Sequence, residues 1–106
     1  MSIDAATMQR EFLVSLWKIE VLSLAANGPV VGLEMLRDLR DRGYDVSPGT
    51  IYPLLRRMAE YGWLAAPREG RAHVHARREH HITDAGREVL DELRAEIARL
   101  HDALRR

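Results

Sequence analysis

The stretch from Ser47 to Leu64 constrains this chain more than any other. It begins Ser-Pro-Gly-Thr and ends Tyr-Gly-Trp-Leu. Ser47 is a residue type that caps helix starts, and Pro48 suits a first helical position, where its missing N–H would lack a partner anyway. Gly62 supplies a stop. Between them Ile51, Leu54, Leu55 and Met58 recur every three or four residues and form one apolar face. The other face carries Thr50, Tyr52, Pro53, Arg56 and Arg57. Hydroxyls near a helix start, then two arginines, suit the phosphates and guanine edges of DNA. Pro53 would delete a bond to the Gly49 carbonyl if the helix began at Pro48. The regular helix is therefore expected to begin nearer Thr50, with residues 45–49 as an approach loop.

A chain of 106 residues suggests one domain. A monomer of this size gains stability by burying surface in a partner chain. Apolar residues make up 46% and charged residues 30%, within the range of folded domains. The absence of cysteine excludes a disulfide framework and thiol chemistry. No apolar run approaches the roughly 18 residues of a membrane span. The start, Met1-Ser2-Ile3-Asp4, lacks the basic and long apolar regions of a signal peptide, so a cytoplasmic location is expected. Formal net charge is zero, but its distribution is uneven. From Gly49 to Arg78 six arginines stand against Glu60 and Glu69, a local net of +4, whereas the first 36 residues carry two basic and four acidic groups. A basic stripe on a neutral protein can bind phosphates, because binding follows the local potential.

Taken in order, residues from about Thr7 to Asn27 read as one long helix or two joined ones. Their apolar positions are too dense for a single stripe, so the helix is expected to be covered on more than one side. One side faces the domain's own core. Phe12, Leu16 and Ile19 are assigned to a second subunit. Asn27-Gly28-Pro29 ends the element. A second helix is expected over Val31 to Arg42, with Leu33, Leu36 and Leu39 buried and Gly43 as a left-handed cap. The short link to Ser47 makes the pair a helix-turn-helix pattern. Residues 63–82 lack a helical period. Leu64 and Ala66 are placed on one strand and His80 and Ile82 on another, with Arg68, Arg71, Arg77 and Arg78 near the hairpin tip, where a phosphate backbone or minor groove could receive them. Thr83 can cap a last helix. In it Gly86, Leu90, Leu93, Ile97, Leu100 and Leu104 follow spacings of 4, 3, 4, 3 and 4, a heptad seam. Pairing with another chain is the simplest way to cover that seam.

The run Ser47-Pro48-Gly49-Thr50-Ile51-Tyr52-Pro53-Leu54-Leu55-Arg56-Arg57-Met58, then Gly62-Trp63-Leu64 and later Ile82-Thr83-Asp84-Ala85-Gly86, resembles the PadR family of bacterial transcriptional regulators. The resemblance covers roughly residues 12–90. It implies a mainly α fold with a small β-hairpin: a winged helix-turn-helix over residues 1–82, including the N-terminal helix, and a C-terminal dimerisation helix over 83–106, forming one compact domain overall. It further implies a homodimer built on the C-terminal helix, often with the N-terminal one, and repression at a promoter. Gly32 stands where family members have a glycine near a helix start. His80 replaces a tyrosine common in the family, and if it packs inward its charge opposes burial.

The expected function is therefore sequence-specific binding of double-stranded DNA, at a partly palindromic operator. Thr50, Tyr52 and Arg56 are assigned to base or groove contacts. Ser47, Arg57 and the hairpin arginines are assigned to phosphates, and Pro53 to the same DNA-facing surface. Leu90, Leu93, Ile97, Leu100 and Leu104 join the dimer interface. A small apolar ligand could lie between subunits near Trp17, although Trp17 is read first as a core residue. His73 and His75, with His80 or His81, have a spacing that could hold zinc, copper or nickel. Histidines on a DNA-facing wing can equally contact phosphate or lie in water, so no metal or cofactor is assigned. A ligand- or metal-responsive sensor of the same fold, or a winged helix that binds only protein, are the alternatives. No phosphate loop, H-E-x-x-H motif or nucleophile with a base is recognisable, so an enzyme is not expected.

Overall fold

The computed structural model describes residues 3–66 and 78–106. Asp4 caps the first helix, α1 (Ala5–Met8): the Thr7 N–H and hydroxyl donate to its carboxylate at 2.8 and 2.9 Å. The helical path continues through one π turn (Gln9–Leu13) into α2 (Val14–Ala25). Neither glycine nor proline interrupts it. Trp17, Val21, Leu22 and Ala25 are buried on one side of α2, while Leu16 of α2 and Phe12 of the π turn are exposed. The dense apolar pattern thus reflects two faces, of which the chain itself covers one.

The second helix starts one residue later than expected. Val30 and Val31 form a short strand, β1 (Val30–Val31), and α3 runs over Gly32–Asp41. β1 pairs antiparallel with β3 (Glu79–Ile82), Val30 opposite His80, and β3 pairs with β2 (Leu64–Ala65), Leu64 opposite Ile82. The expected two-stranded hairpin is therefore the β2–β3 part of a three-stranded sheet of order β1-β3-β2. Leu33, expected on the buried side of α3, is 45% exposed. Leu36 and Leu39 are buried as expected, together with Gly32 and Met35. Gly43 and Gly62 both adopt positive φ, 95° and 81°, and end the two helices of the helix-turn-helix pair.

That pair's second helix, α4 (Pro48–Glu60), corrects the expected start at Thr50. Both prolines are accommodated within it. Pro48 occupies the first turn, and the N–H groups of Thr50 and Ile51 both turn back to the Ser47 carbonyl, at 3.0 and 3.3 Å. Gly49, whose carbonyl loses its donor to Pro53, is exposed, so water can solvate it. Ile51, Leu54, Leu55 and Met58 are buried as expected and pack with Trp17, Leu22 and Leu39 in the core. Val46, in the link, also reaches this core.

The last helix, α5 (Asp84–Leu104), is locked at its start. Thr83 accepts from the Gly86 N–H at 3.0 Å, donates its hydroxyl to the Gly62 carbonyl at 2.6 Å, and donates its N–H to the Trp63 carbonyl at 3.1 Å. Gly86 lies so close to the Trp63 carbonyl that a Cβ would collide with it. Ile82-Thr83-Asp84-Ala85-Gly86 is therefore the joint between sheet and last helix. Among the described residues no helix is long and apolar enough to cross a membrane.

Candidate nucleic-acid interface

On α4 the buried residues fill one side, and Gly49, Tyr52, Arg56, Arg57 and Glu60 are exposed on the rest. Thr50 and Pro53 are half-buried between the two. Arg56 and Arg57 make no ion pair among the described residues, so both guanidiniums remain open to an anionic partner. Ser47 occupies the N-cap position with extended backbone, but its side chain makes no capping hydrogen bond. Its hydroxyl lies exposed at the helix start, where backbone N–H groups favour a negative charge.

Tyr52 is 48% exposed and has a packing role the sequence did not reveal. A Cβ on Gly32 would lie 2.6 Å from Tyr52 Cε1 and 3.2 Å from Leu55 Cδ1. The tyrosine ring thus seats on the first residue of α3, and the absence of a side chain there lets the two helices approach. One edge of the ring holds the helix pair together while the rest faces outward. The signal was in the sequence, a glycine opening a helix after two valines, but it has this meaning only once Tyr52 is placed opposite.

On the wing, Arg78 is exposed immediately before β3. Arg68, Arg71 and Arg77, and also His73 and His75, lie outside the described residues. His80 points inward: it is buried, its Nδ1 has no hydrogen-bond partner among the described residues, and burial is the first cause that lowers its pKa from the usual histidine value. A backbone hydrogen bond with Val30 opposes that shift, and the nearby charges of Arg78 and His81 add to it. His81 faces outward, 3.8 Å from Glu79. Among the described residues no three His, Cys, Asp or Glu side chains gather as a metal site.

The residues assigned to a second subunit divide into two groups. Leu90 is 2% exposed within the core of its own chain, so it has no surface left for a partner. Leu93 is partly buried against the same core, and Ile19 is half-buried. Phe12, Leu16 and Ile97 are exposed, Leu100 is 57% exposed and Leu104 75%. The heptad seam therefore serves the monomer in its first half and lies open in its second. Trp17 is a core residue, meeting Tyr44 edge-on at 5.3 Å. An open cleft of about 330 Å³ lies between Leu24 of α2, Val30 and Val31 of β1, and Met35 of α3, and Trp17 is not among its walls.

Comparison with known proteins shows the family and the fold. Residues 21–92 match the model of the transcriptional regulator PadR-like family. The transcriptional regulator Rv3488 of Mycobacterium tuberculosis is 37% identical over 94 residues, which cover 86% of this chain and 84% of that protein. A PadR family transcriptional regulator from Eggerthella lenta is 29% identical and superposes with a TM-score of 0.73, over 93% of this chain and 87% of that one. A PadR-like transcriptional regulator from Bacillus cereus is 27% identical, with a TM-score of 0.71 over 92% of both chains.

Proposed function

This chain belongs to the PadR-like family of transcriptional regulators, and from that premise we propose that it represses a promoter by binding a partly palindromic operator as a homodimer. The family and the similar proteins are transcriptional regulators, not enzymes. The observation that carries the reading is the exposed face of α4, where Ser47, Tyr52, Arg56 and Arg57 stand together with no ion pair at either arginine among the described residues. In this reading α4 enters the major groove. Thr50, Tyr52 and Arg56 read base edges from it, since arginine can donate two hydrogen bonds to guanine. Ser47, Arg57 and Arg78 hold phosphates on either side, and Pro53 shapes the surface between them. Arg68, Arg71 and Arg77, which lie outside the described residues, are assigned by charge alone to further phosphate contacts.

The second subunit covers Phe12, Leu16, Ile97, Leu100 and Leu104, which are exposed apolar side chains in a small domain. A cytoplasmic location accompanies this function. An apolar ligand between the subunits would act by favouring one spacing of the two α4 helices. Selection from a random duplex pool, with light scattering on the same sample, tests the proposal. The expected result is a dimer and a palindromic motif bound at least about 4 kcal/mol more tightly than random DNA. Arg56→Ala should erode that preference, and Arg57→Ala should weaken all duplexes alike. A folded protein that enriches no motif would refute the reading.

A further inference from the structure

One side-chain cluster ties the N-terminal helix to the helix-turn-helix pair. Arg42 stands just past the end of α3, where the chain turns toward α4. Its Nη2 lies 2.8 Å from Glu20 Oε1 on α2 and 3.2 Å from Asp38 Oδ2 on α3. The guanidinium also lies over the Tyr44 ring, 5.9 Å from its centroid, and Tyr44 meets Trp17 of α2 edge-on. Trp17 and Glu20 are one helical turn apart, so a single face of α2 grips both Arg42 and Tyr44. Beyond Tyr44, Arg40 Nε donates to the Val46 carbonyl at 2.9 Å, and Ser47 then begins α4. The link between the two helices is thus held to α2 at its start and braced to α3 at its end.

These contacts are partly exposed, and exposed ion pairs contribute little to folding stability. What distinguishes this pair is its position. It joins two elements distant in sequence, and the segment it fixes sets where α4 starts. We propose that Glu20 and Arg42 are positioning residues for DNA reading, fixing the α3–α4 link against α2 so that the orientation of α4 follows that of the N-terminal helix. The inference rests on the reading of α4 as the DNA-binding helix. It gives α2 a function beyond filling the core: its exposed side meets the second subunit in the proposed dimer, and its other side holds the link.

Glu20 permits a test in which two explanations differ in sign. Removing one negative charge from a protein that binds a polyanion should strengthen binding if only net electrostatics matters. Loss of positioning should weaken binding to the selected operator. The full chain carrying Glu20→Gln, a near-isosteric change, is titrated with the selected duplex and with a random one at fixed salt. We expect operator affinity to fall about five- to tenfold, an ordinary coupling between sites, with random-duplex affinity unchanged or higher. Operator affinity equal to or above that of the unsubstituted protein would overturn the proposal. Arg42→Ala provides the second readout. A positioning role leaves the salt dependence on random duplex unchanged. A decline of about one in that slope, equal on both duplexes, would make Arg42 a phosphate contact and would also overturn the proposal. If the unsubstituted protein shows no preference between duplexes, the DNA reading of α4 falls first, and this inference with it.

Discussion

Tyr52 and Gly32 form a pair in which one residue's ring occupies the space that the other's missing side chain leaves. Gly32→Ala places a methyl group against that ring and against Leu55, both in the seam between α3 and α4. The ring must move or the helices must separate, and overpacking of this kind costs on the order of 1–3 kcal/mol. Chemical denaturation of Gly32→Ala should show that loss, and adding Tyr52→Ala should recover part of it, because the clash disappears. Equal losses in the single and double variants would mean that the ring is not what the methyl group meets. His80 gives a second prediction at this scale. Burial lowers its folded-state pKa below the ordinary value of 6.5. Above that value both folded and unfolded chains carry a neutral His80, so it adds no pH dependence. Below it the unfolded chain takes up a proton that the folded chain resists, and stability falls until the pH passes the folded-state pKa. Melting curves from neutral pH into the acid range should therefore fall less steeply for His80→Phe than for the unsubstituted protein. Parallel curves would show that His80 stays solvated in the folded chain.

At the scale of elements, legibility followed how locally each element is specified. The limits of α4 and α5 were close to readable because caps, stop glycines and apolar spacing all lie within the helices themselves. The start of α4 differs from the expectation because Pro53, although interior, deprives only the Gly49 carbonyl of a donor, and Gly49 is exposed at the helix start, where water can replace it. β1 was missed because two valines before a helix make a strand only when β3, far along the chain, arrives beside them. Leu33 lies outside because Leu33, Leu36 and Leu39, each three residues apart, drift around the helix, so that Leu33 and Leu39 stand about 120° apart and one narrow face does not bury both. The open face of α4 was legible in residue type, but the seating of Tyr52 and the Glu20–Arg42 contact were not, since both depend on how distant helices approach. The heptad of α5 shows the same limit: its period is continuous, but its environment changes between Leu90 and Leu100. Substitution should separate the halves. Leu90→Ala leaves a cavity in the monomer core and should cost about 2–5 kcal/mol of folding stability. Leu100→Asp removes no core contact and should shift light scattering from dimer toward monomer. It should also make the melting temperature less dependent on protein concentration, as expected when association no longer stabilises the fold. A Leu100→Asp protein that remains a dimer would place the interface elsewhere.

For the whole molecule, the distribution of charge and of apolar surface leads to one geometrical consequence. The protein has zero formal net charge, so long-range attraction to DNA is weak and binding depends on local contacts made in register. In the proposed dimer each α4 packs on its own α2, α5 packs on the same α2, and α2 and α5 also carry exposed apolar residues of the interface. The distance between the two α4 helices is then a property of the assembled dimer, and the proposal requires it to match the roughly 34 Å of one DNA turn that successive major grooves present on one side of the duplex. Inserting about five base pairs between the half-sites turns the second to the opposite side of the duplex. Anisotropy titrations should then show affinity falling toward that of a single half-site, with both half-site sequences intact. Inserting about ten base pairs restores the facing but adds a full turn of separation, and a rigid dimer should not recover full affinity there. A protein whose subunits read DNA independently would be indifferent to both insertions. Spacing dependence thus distinguishes a rigid pair of reading heads from two tethered ones, and it does so without altering a residue.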